Sequence, residues 1–471
     1  MQTVWMMVVA WVVGMVAQDW YGLAPVLIGA VAMVCMGVRP QDRRLWWLLA
    51  ACMAGASRMA WYQWMPEPTP TVVTRQSVTI TEVRANWHEQ RVLVRSENGY
   101  GFLVALPPEP VLLRGMQLEV SGTVRPFDVE RSAYEASLHK RHIIGTLVVK
   151  APPLISSSDG WLVQCERMRL ATQRNIQMVF REPIASVVVG MLLGVGGDVS
   201  EPVAQAFRES GTSHILVISG WNITIVAALC HLLIHACRVQ GIWSLVIPLT
   251  VIGVYVIFTG ASAAVVRAGY MGAVMVIGKW LDRPRDMWNI IAVAVWLMSA
   301  GDPLTLWDLG FQLSTFATIG LIGFGNGVDS VLARTPLGSQ QLGWAREGLA
   351  ATIAAQIPTL PIMLCRLGSP SPWSLLANMI ITPIVPFAMA TGAGVTLISW
   401  ISPNGASVAA WIAIPAFAWI IDGSIAIAAL PAPLQWQLEQ VWVEWCLHAG
   451  WVAWLVIRGN KASTNRTQEM V

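Results

Sequence analysis

The sequence predicts a polytopic α-helical membrane protein of about 12 spans that carries an extracytoplasmic, OB-like β-barrel insert. Three observations predict it. Hydrophobic residues make up 55% of 471 and charged residues only 12%, with a mean hydropathy of +0.56. That balance belongs to membrane chains rather than globular ones. Apolar runs of about 20 residues, the length a hydrocarbon core of roughly 30 Å demands, recur along the chain. Between residues 66 and about 160 they give way to short alternating segments.

Three runs come early, at 3–17, 20–38 and 44–61. The first lacks the basic start and cleavage site of a signal peptide, so it reads as a span. Nine more follow, at 213–236, 242–260, 263–281, 287–301, 305–325, 347–366, 373–399, 405–430 and 440–457. The resulting division is an N-terminal three-span part (1–65), the β insert (66–160), a connecting segment (161–200), a many-span domain (201–460) and a tail (461–471). Arg39, Arg43, Arg44, Arg238, Arg283, Arg285, Arg334, Arg346, Arg458, Lys461 and Arg466 fall in alternate loops, with Arg366 the main exception. The positive-inside rule then puts both termini in the cytoplasm of a multi-pass protein of the bacterial plasma membrane, and the insert on its outer face.

In the insert, Gln76–Arg84, Arg91–Glu97, Tyr100–Leu106, Gln117–Arg125 and Ile143–Lys150 alternate as strands do, punctuated by Gly99, Gly101, Pro107–Pro110 and Gly115. Five strands match a small barrel such as an OB-fold, which often binds single strands by stacking bases on aromatics. Tyr100 and Phe102 share a strand face, with Trp87 near, and Lys140, Arg141 and His142 form a short basic cluster. These are candidate DNA contacts, although ten Lys/Arg balance ten Asp/Glu in the insert. A hydrophobic core serves equally for the aromatics, and a solvated surface for the cations. Residues 158–182 read as an interfacial amphipathic helix, with Trp161, Cys165, Met168, Ile176 and Val179 on its apolar side and Glu166, Arg167 and Arg174 opposite. Ile184–Gly196 is short and apolar, like a re-entrant piece. Of seven cysteines only Cys165 falls in the outer region, so no disulfide forms within it. No ligand spacing points to a metal, and no cofactor is expected.

Polar residues inside the later runs carry the functional signal: His214, Ser219, Gly220 and Asn222 in one, Arg267 in another, Asp308, Gln312 and Thr315 in a third, then Gln356 and Asn378. Such residues at bilayer depth face a packed interior or a water-filled path. Ser200 caps a short helix that stops near Gly211. On a regular helix Thr212, Ser219 and Asn222 make one polar stripe, either interhelical glue or a pore wall. Arg267 and Asp308 lie at similar depth from the outer surface and are candidates for an ion pair.

At Phe207–Asn222, Gly260–Ala268, Asp302–Ser314 and Ala355–Pro383 the chain resembles the ComEC family, the bacterial inner-membrane channel for DNA uptake in natural transformation. The resemblance covers essentially the whole chain. It implies a channel domain over 201–460, single-stranded DNA and the lipid bilayer as partners, and other competence proteins, a DNA receptor and a cytoplasmic motor, beside it. The family usually has His where this chain has Asn222, which donates a hydrogen bond but carries no charge. The chain also stops soon after its last run, without the metallo-β-lactamase-like domain of many members, so nuclease activity is not expected of it. The expected function is therefore a single-stranded DNA channel, not an enzyme. A small-molecule or lipid transporter is the alternative, and an intramembrane hydrolase built on Ser213 or Ser219 with His214 a lesser one.

Overall fold

The computed structural model describes residues 2–21, 43–63, 72–85, 89–127 except 98, 138, 141–149, 153–157, 159–194, 199–216, isolated positions from 223 to 232, 234–261, 263–281, 287–335, 343–367 and 371–431. They divide into two compact units: Ala10–Thr172 with Asp302–Leu304, and Met1–Val9 with Gln173–Gly301 and Thr305–Val471.

In the first unit, the part of helix α1 (Gln2–Tyr21) from Ala10 onward crosses α2 (Arg43–Gln63) at glycines. A methyl on Gly14 would sit 1.9 Å from the Cys52 carbonyl oxygen, so only hydrogen lets the backbones approach. Near one end, Gln18 Nε2 donates to Gln63 Oε1 at 3.2 Å. The barrel follows as β1 (Val72–Ala85), β2 (Gln90–Ser96), β3 (Gly101–Leu106), β4 (Gln117–Pro126) and β5 (Ile143–Val149), with β6 (Leu154–Ser157) added along β4. The alternating residues form strands because every second side chain finds a common core: Val78, Ile80, Val92, Val94, Phe102, Val104, Leu118, Val120 and Leu147. β1 is long and irregular at Val73/Gln76 and Ile80/Glu82, which lets it pair with β2 and also with β4. Order β1-β2-β3-β5-β4 therefore closes on itself, with β3 and β5 parallel. Five closed strands stand as the alternation predicts.

Helix α3 (Trp161–Val179) forms within the predicted 158–182, but its buried face differs from the predicted one. Val163, Glu166, Thr172 and Ile176 are buried, while Trp161 and Met168 are exposed. Glu166 lies inside because Arg169 Nη2 pairs with it at 2.7 Å, so both charges turn inward together.

The second unit is helical. α4 (Ile184–Leu193) is too short to span, and Ala185–Met191 are buried without interruption. Around it pack α5 (Glu201–Glu209), α11 (Ser374–Ile381), α12 (Val385–Ser399) and α13 (Pro403–Ala428), sharing one apolar core. α6 (Trp243–Phe258), α7 (Ala263–Trp280) and α8 (Met287–Gly301) precede α9 (Leu309–Leu332) and α10 (Gly343–Ile362). Helix α9 follows a 3-10 turn, Pro303–Trp307, and α10 runs into a π-helical turn, Met363–Leu367.

Burial along α13 reveals the solvent this unit is built for. Ala406, Ala410, Ala413, Phe417, Ile420, Ser424 and Ile427 point inward, a coiled-coil-like spacing of mostly small residues. Val408, Trp411 and Ile412 point outward at 72%, 78% and 64% exposure. Large apolar side chains left in water each forfeit about 1.5–3 kcal/mol, so such a surface belongs against hydrocarbon.

Four helical stretches among the described residues are long and apolar enough to cross a bilayer: Leu309–Leu332, Arg346–Arg366, Ser374–Ser399 and Pro403–Ala428. The expected count of about 12 is not established by them. Runs 20–38 and 440–457 lie outside the described residues. α6 and α8 form where expected, but with 16 and 15 residues they reach only roughly 22–24 Å at 1.5 Å per residue. The run at 213–236 opens with a 3-10 turn, Ser213–Ile215, rather than a regular helix.

Candidate functional site

Two groups of polar side chains lie inside the helical unit. The first begins where α5 ends. Gly211 adopts φ +77, and the Thr212 and Gly211 amides bond back to the Phe207 and Arg208 carbonyls at 2.9 and 3.1 Å. This is a Schellman stop, and it turns the chain inward. Ser210 and Thr212 are both fully buried there. Their hydroxyls meet at 2.7 Å, and Thr212 Oγ1 lies 3.1 Å from Ser424 Oγ on α13. A methyl on Gly211 would come within 2.7 Å of Ser374 Cβ, so α11 packs directly on the turn. Gln356 Nε2 on α10 donates to Ser374 Oγ at 2.9 Å. One turn along α11, Asn378 Oδ1 is buried with no hydrogen-bond partner, as is the indole nitrogen of Trp373. Four chain segments thus converge on one polar patch in an apolar core.

The second group joins α7 and α9. Val265, Ala268, Gly269 and Gly272 of α7 face Ile223 and α6. Arg267 turns the other way and is only 4% exposed. Its Nη1 donates to Thr318 Oγ1 at 3.3 Å, and its Nε has no partner. Thr315, one turn before Thr318, is buried with its hydroxyl unpaired. Gln312 Nε2 reaches back to the Leu306 carbonyl at 2.8 Å, tying α9 to the 3-10 turn. Helix α10 separates the two groups. Its Ala354 and Pro358 lie against Gly320 of α9, where a methyl would meet the Ala354 carbonyl at 2.2 Å, while Gln356 reaches α11.

Several expectations change. Arg267 and Asp308 do not pair. Asp308 is the N-cap of α9, accepting from the Phe311 amide at 2.8 Å. Arg267 instead reaches Thr318, ten residues further on and roughly 15 Å down the axis. No carboxylate among the described residues pairs with this guanidinium. Thr212 is not the top of a helical stripe, because the chain is in a turn there and its hydroxyl is held by Ser210 and Ser424. His214 is exposed at this turn, and among the described residues no hydrogen bond joins its imidazole to a serine. Ser219, Gly220 and Asn222 lie outside the described residues, as do Trp87 and Lys140.

In the barrel, Phe102 is fully buried and Tyr100 is 9% exposed, their rings edge-on at 5.4 Å. Tyr100 Oη accepts from Gln76 Nε2 at 2.9 Å. Both aromatics are core residues, not a stacking platform, because their strand face points into the closed barrel. Arg141 is exposed.

Ser374, Ser424 and Thr318 were missed in the sequence. A serine at a core-facing position of α13, and a threonine three residues after Thr315, were the available signals.

An outward apolar surface, small residues at helix crossings and polar patches within an apolar core define a helical membrane protein with a small barrel attached. Residues 191–460, more than half of the chain, match the model of the Competence protein family, and the chain belongs to that family. It is 24% identical over 343 residues to ComE operon protein 3 of Bacillus subtilis (strain 168). That similarity covers 68% of this chain and 42% of the relative, so the chain spans well under half of that protein's length. No solved structure matches.

Proposed function

We propose that this protein is a channel passing single-stranded DNA into the cytoplasm during DNA uptake. The observation that carries the reading is Arg267: a guanidinium buried among helices, facing hydroxyls and given no carboxylate. A path for a polyanion needs donors and positive potential rather than neutralised pairs. Membership of the Competence protein family supports DNA uptake as the process, and the similarity to the Bacillus relative is consistent with that family. In this reading His214, Ser219, Gly220, Asn222, Arg267, Gln312, Thr315, Gln356 and Asn378 belong to the path, which runs through a bundle of about 12 spans. Asp308 serves as the cap of α9 beside it. The barrel is OB-like and faces outward, with Arg141 on its surface. A DNA receptor would deliver the strand and a cytoplasmic motor would draw it in.

Transport rather than chemistry is the proposed role, because membership of the Competence protein family supports DNA uptake. Uptake of a labelled single-stranded oligonucleotide into proteoliposomes tests it. Entry of the oligonucleotide, with no product of bond cleavage, is the expected result. Uptake of small solutes or lipid without DNA would replace the channel reading with a transporter.

A further inference from the structure

Resting on the channel reading, we infer that Arg267 and Thr315, beside Thr318, form a phosphate-binding station inside the helical unit.

The argument starts from an unbalanced account of buried donors. Arg267 and Thr315 are both more than nine-tenths buried, at 4% and 8% exposure. Arg267 Nε and Thr315 Oγ1 have no hydrogen-bond partner. The one bond Arg267 makes, to Thr318 Oγ1, is long at 3.3 Å. Thr318 passes its own proton to the Ser314 carbonyl at 2.9 Å, so toward Arg267 it acts as an acceptor only. A structural arginine in an apolar interior is normally matched by a carboxylate and several good hydrogen bonds, because the desolvation of an ion costs several kcal/mol. Here both acidic residues of the facing helix are committed elsewhere: Asp308 caps it, and Asp329 pairs with Arg346 at 2.8 Å.

The unmet groups have the chemistry of one ligand class. A guanidinium presents a planar fork of N–H donors that fits two oxygens of a tetrahedral phosphate. Thr315 adds a hydroxyl on the same face of α9, one turn from Thr318. A phosphodiester carries one negative charge, which the single cation balances. The helix that carries Arg267 is held by packing on its opposite face, where Val265 and Ala268 are buried against α6 and Ile223. The station is therefore preorganised, and it engages one phosphate at a time.

Phosphate groups reach such a site from a nucleic-acid strand or from a phospholipid headgroup. The experiment separates the two. Purified full-length protein in detergent is titrated with oligothymidylate, and with the same oligomer bearing uncharged methylphosphonate linkages. Native mass spectrometry reads any phospholipid that copurifies. The expected result is that Arg267→Gln weakens binding of the phosphodiester oligomer by about tenfold, the worth of one charge-assisted hydrogen-bonded contact. The methylphosphonate oligomer should bind wild type and variant alike. Thr315→Val, which keeps the cation and the side-chain volume, should give a smaller loss of the same kind. It also covers the case in which Arg267→Gln fails to fold. Equal phosphodiester binding by wild type and both folded variants would overturn the station. Loss of a copurifying phospholipid from Arg267→Gln, with oligomer binding unchanged, would assign it to lipid and overturn the nucleic-acid role. Proteoliposome uptake is read in parallel. Uptake that persists with unaltered binding in the variants defeats the station and leaves the channel standing. Selective phosphodiester binding without uptake defeats the channel and leaves the station.

Discussion

Gly211 concentrates much of what one residue decides in this protein. Its φ of +77 is a conformation that L side chains rarely adopt, and its missing side chain is where Ser374 packs. Two penalties therefore fall on Gly211→Ala. Gly241 has φ +68 but open space around it, so Gly241→Ala carries the backbone penalty alone, about 1 kcal/mol. We expect Gly211→Ala to lower the melting temperature in detergent clearly more than Gly241→Ala; equal shifts would show that the Ser374 contact has no weight. The neighbouring hydroxyls offer a second test. Thr212→Val removes the central member of the Ser210–Thr212–Ser424 chain and breaks two buried hydroxyl–hydroxyl bonds, while Ser210 and Ser424 keep their bonds to the Phe207 and Ile420 carbonyls. A loss of about 1–2 kcal/mol is expected. Ser424→Ala should cost less, because it breaks only one of the two hydroxyl–hydroxyl bonds and leaves Thr212 bonded to Ser210. In the sequence Gly211 was legible as a helix stop, since a short helix precedes it, although Ser200 at its N-cap position makes no side-chain capping bond. Its contact with a serine more than 160 residues away was not, because nothing local to residue 211 encodes which helix returns to cover it.

Elements were legible in proportion to how local their cause is. The five strands fall within a few residues of the alternation that predicts them, since period-two patterning is itself the cause of a half-buried strand. α9 begins at Leu309 rather than near 305, because Asp308 caps it and Pro303–Trp307 take a tighter 3-10 turn. That choice depends on one side chain bonding one amide, which hydropathy does not register. The same shift undid the expected pairing of Arg267 with Asp308. Faces were the least legible property: α3 turns a glutamate inward and tryptophan outward, as its tertiary partners require. For α13 the two faces make opposite predictions. Ala413 is fully buried against neighbouring helices, so Ala413→Leu should overpack the core and cost about 1–3 kcal/mol. Trp411→Leu should be nearly silent in a bilayer, whereas Trp411→Lys places a charge in hydrocarbon at about 2.5–3.5 kcal/mol. Membrane integration, scored by resistance to alkaline extraction, checks the order. Integration of Trp411→Lys equal to wild type would mean that this face does not meet lipid.

At the scale of the whole molecule the open question is which side of the membrane each loop occupies, and loop charge makes a definite prediction. Arg238 and Arg334 follow apolar helices and are exposed, and they belong to the alternate set of loops that holds most of the cations outside the barrel. Translocating a basic loop opposes the membrane potential, so the expected outcome is that these loops stay in the cytoplasm and the barrel lies on the outer side. Exposed single cysteines report the sides directly. In a background with the native cysteines replaced, including the exposed Cys237, Val111→Cys in the barrel should react with an impermeant thiol reagent on intact cells. Arg334→Cys should react only after the cells are opened. Both positions are surface residues, so silence at either cannot be blamed on burial. Labelling of position 334 but not 111 on intact cells would invert the orientation. The barrel would then meet a strand only after it had crossed, and DNA entry from the outer face would lose its first structural element.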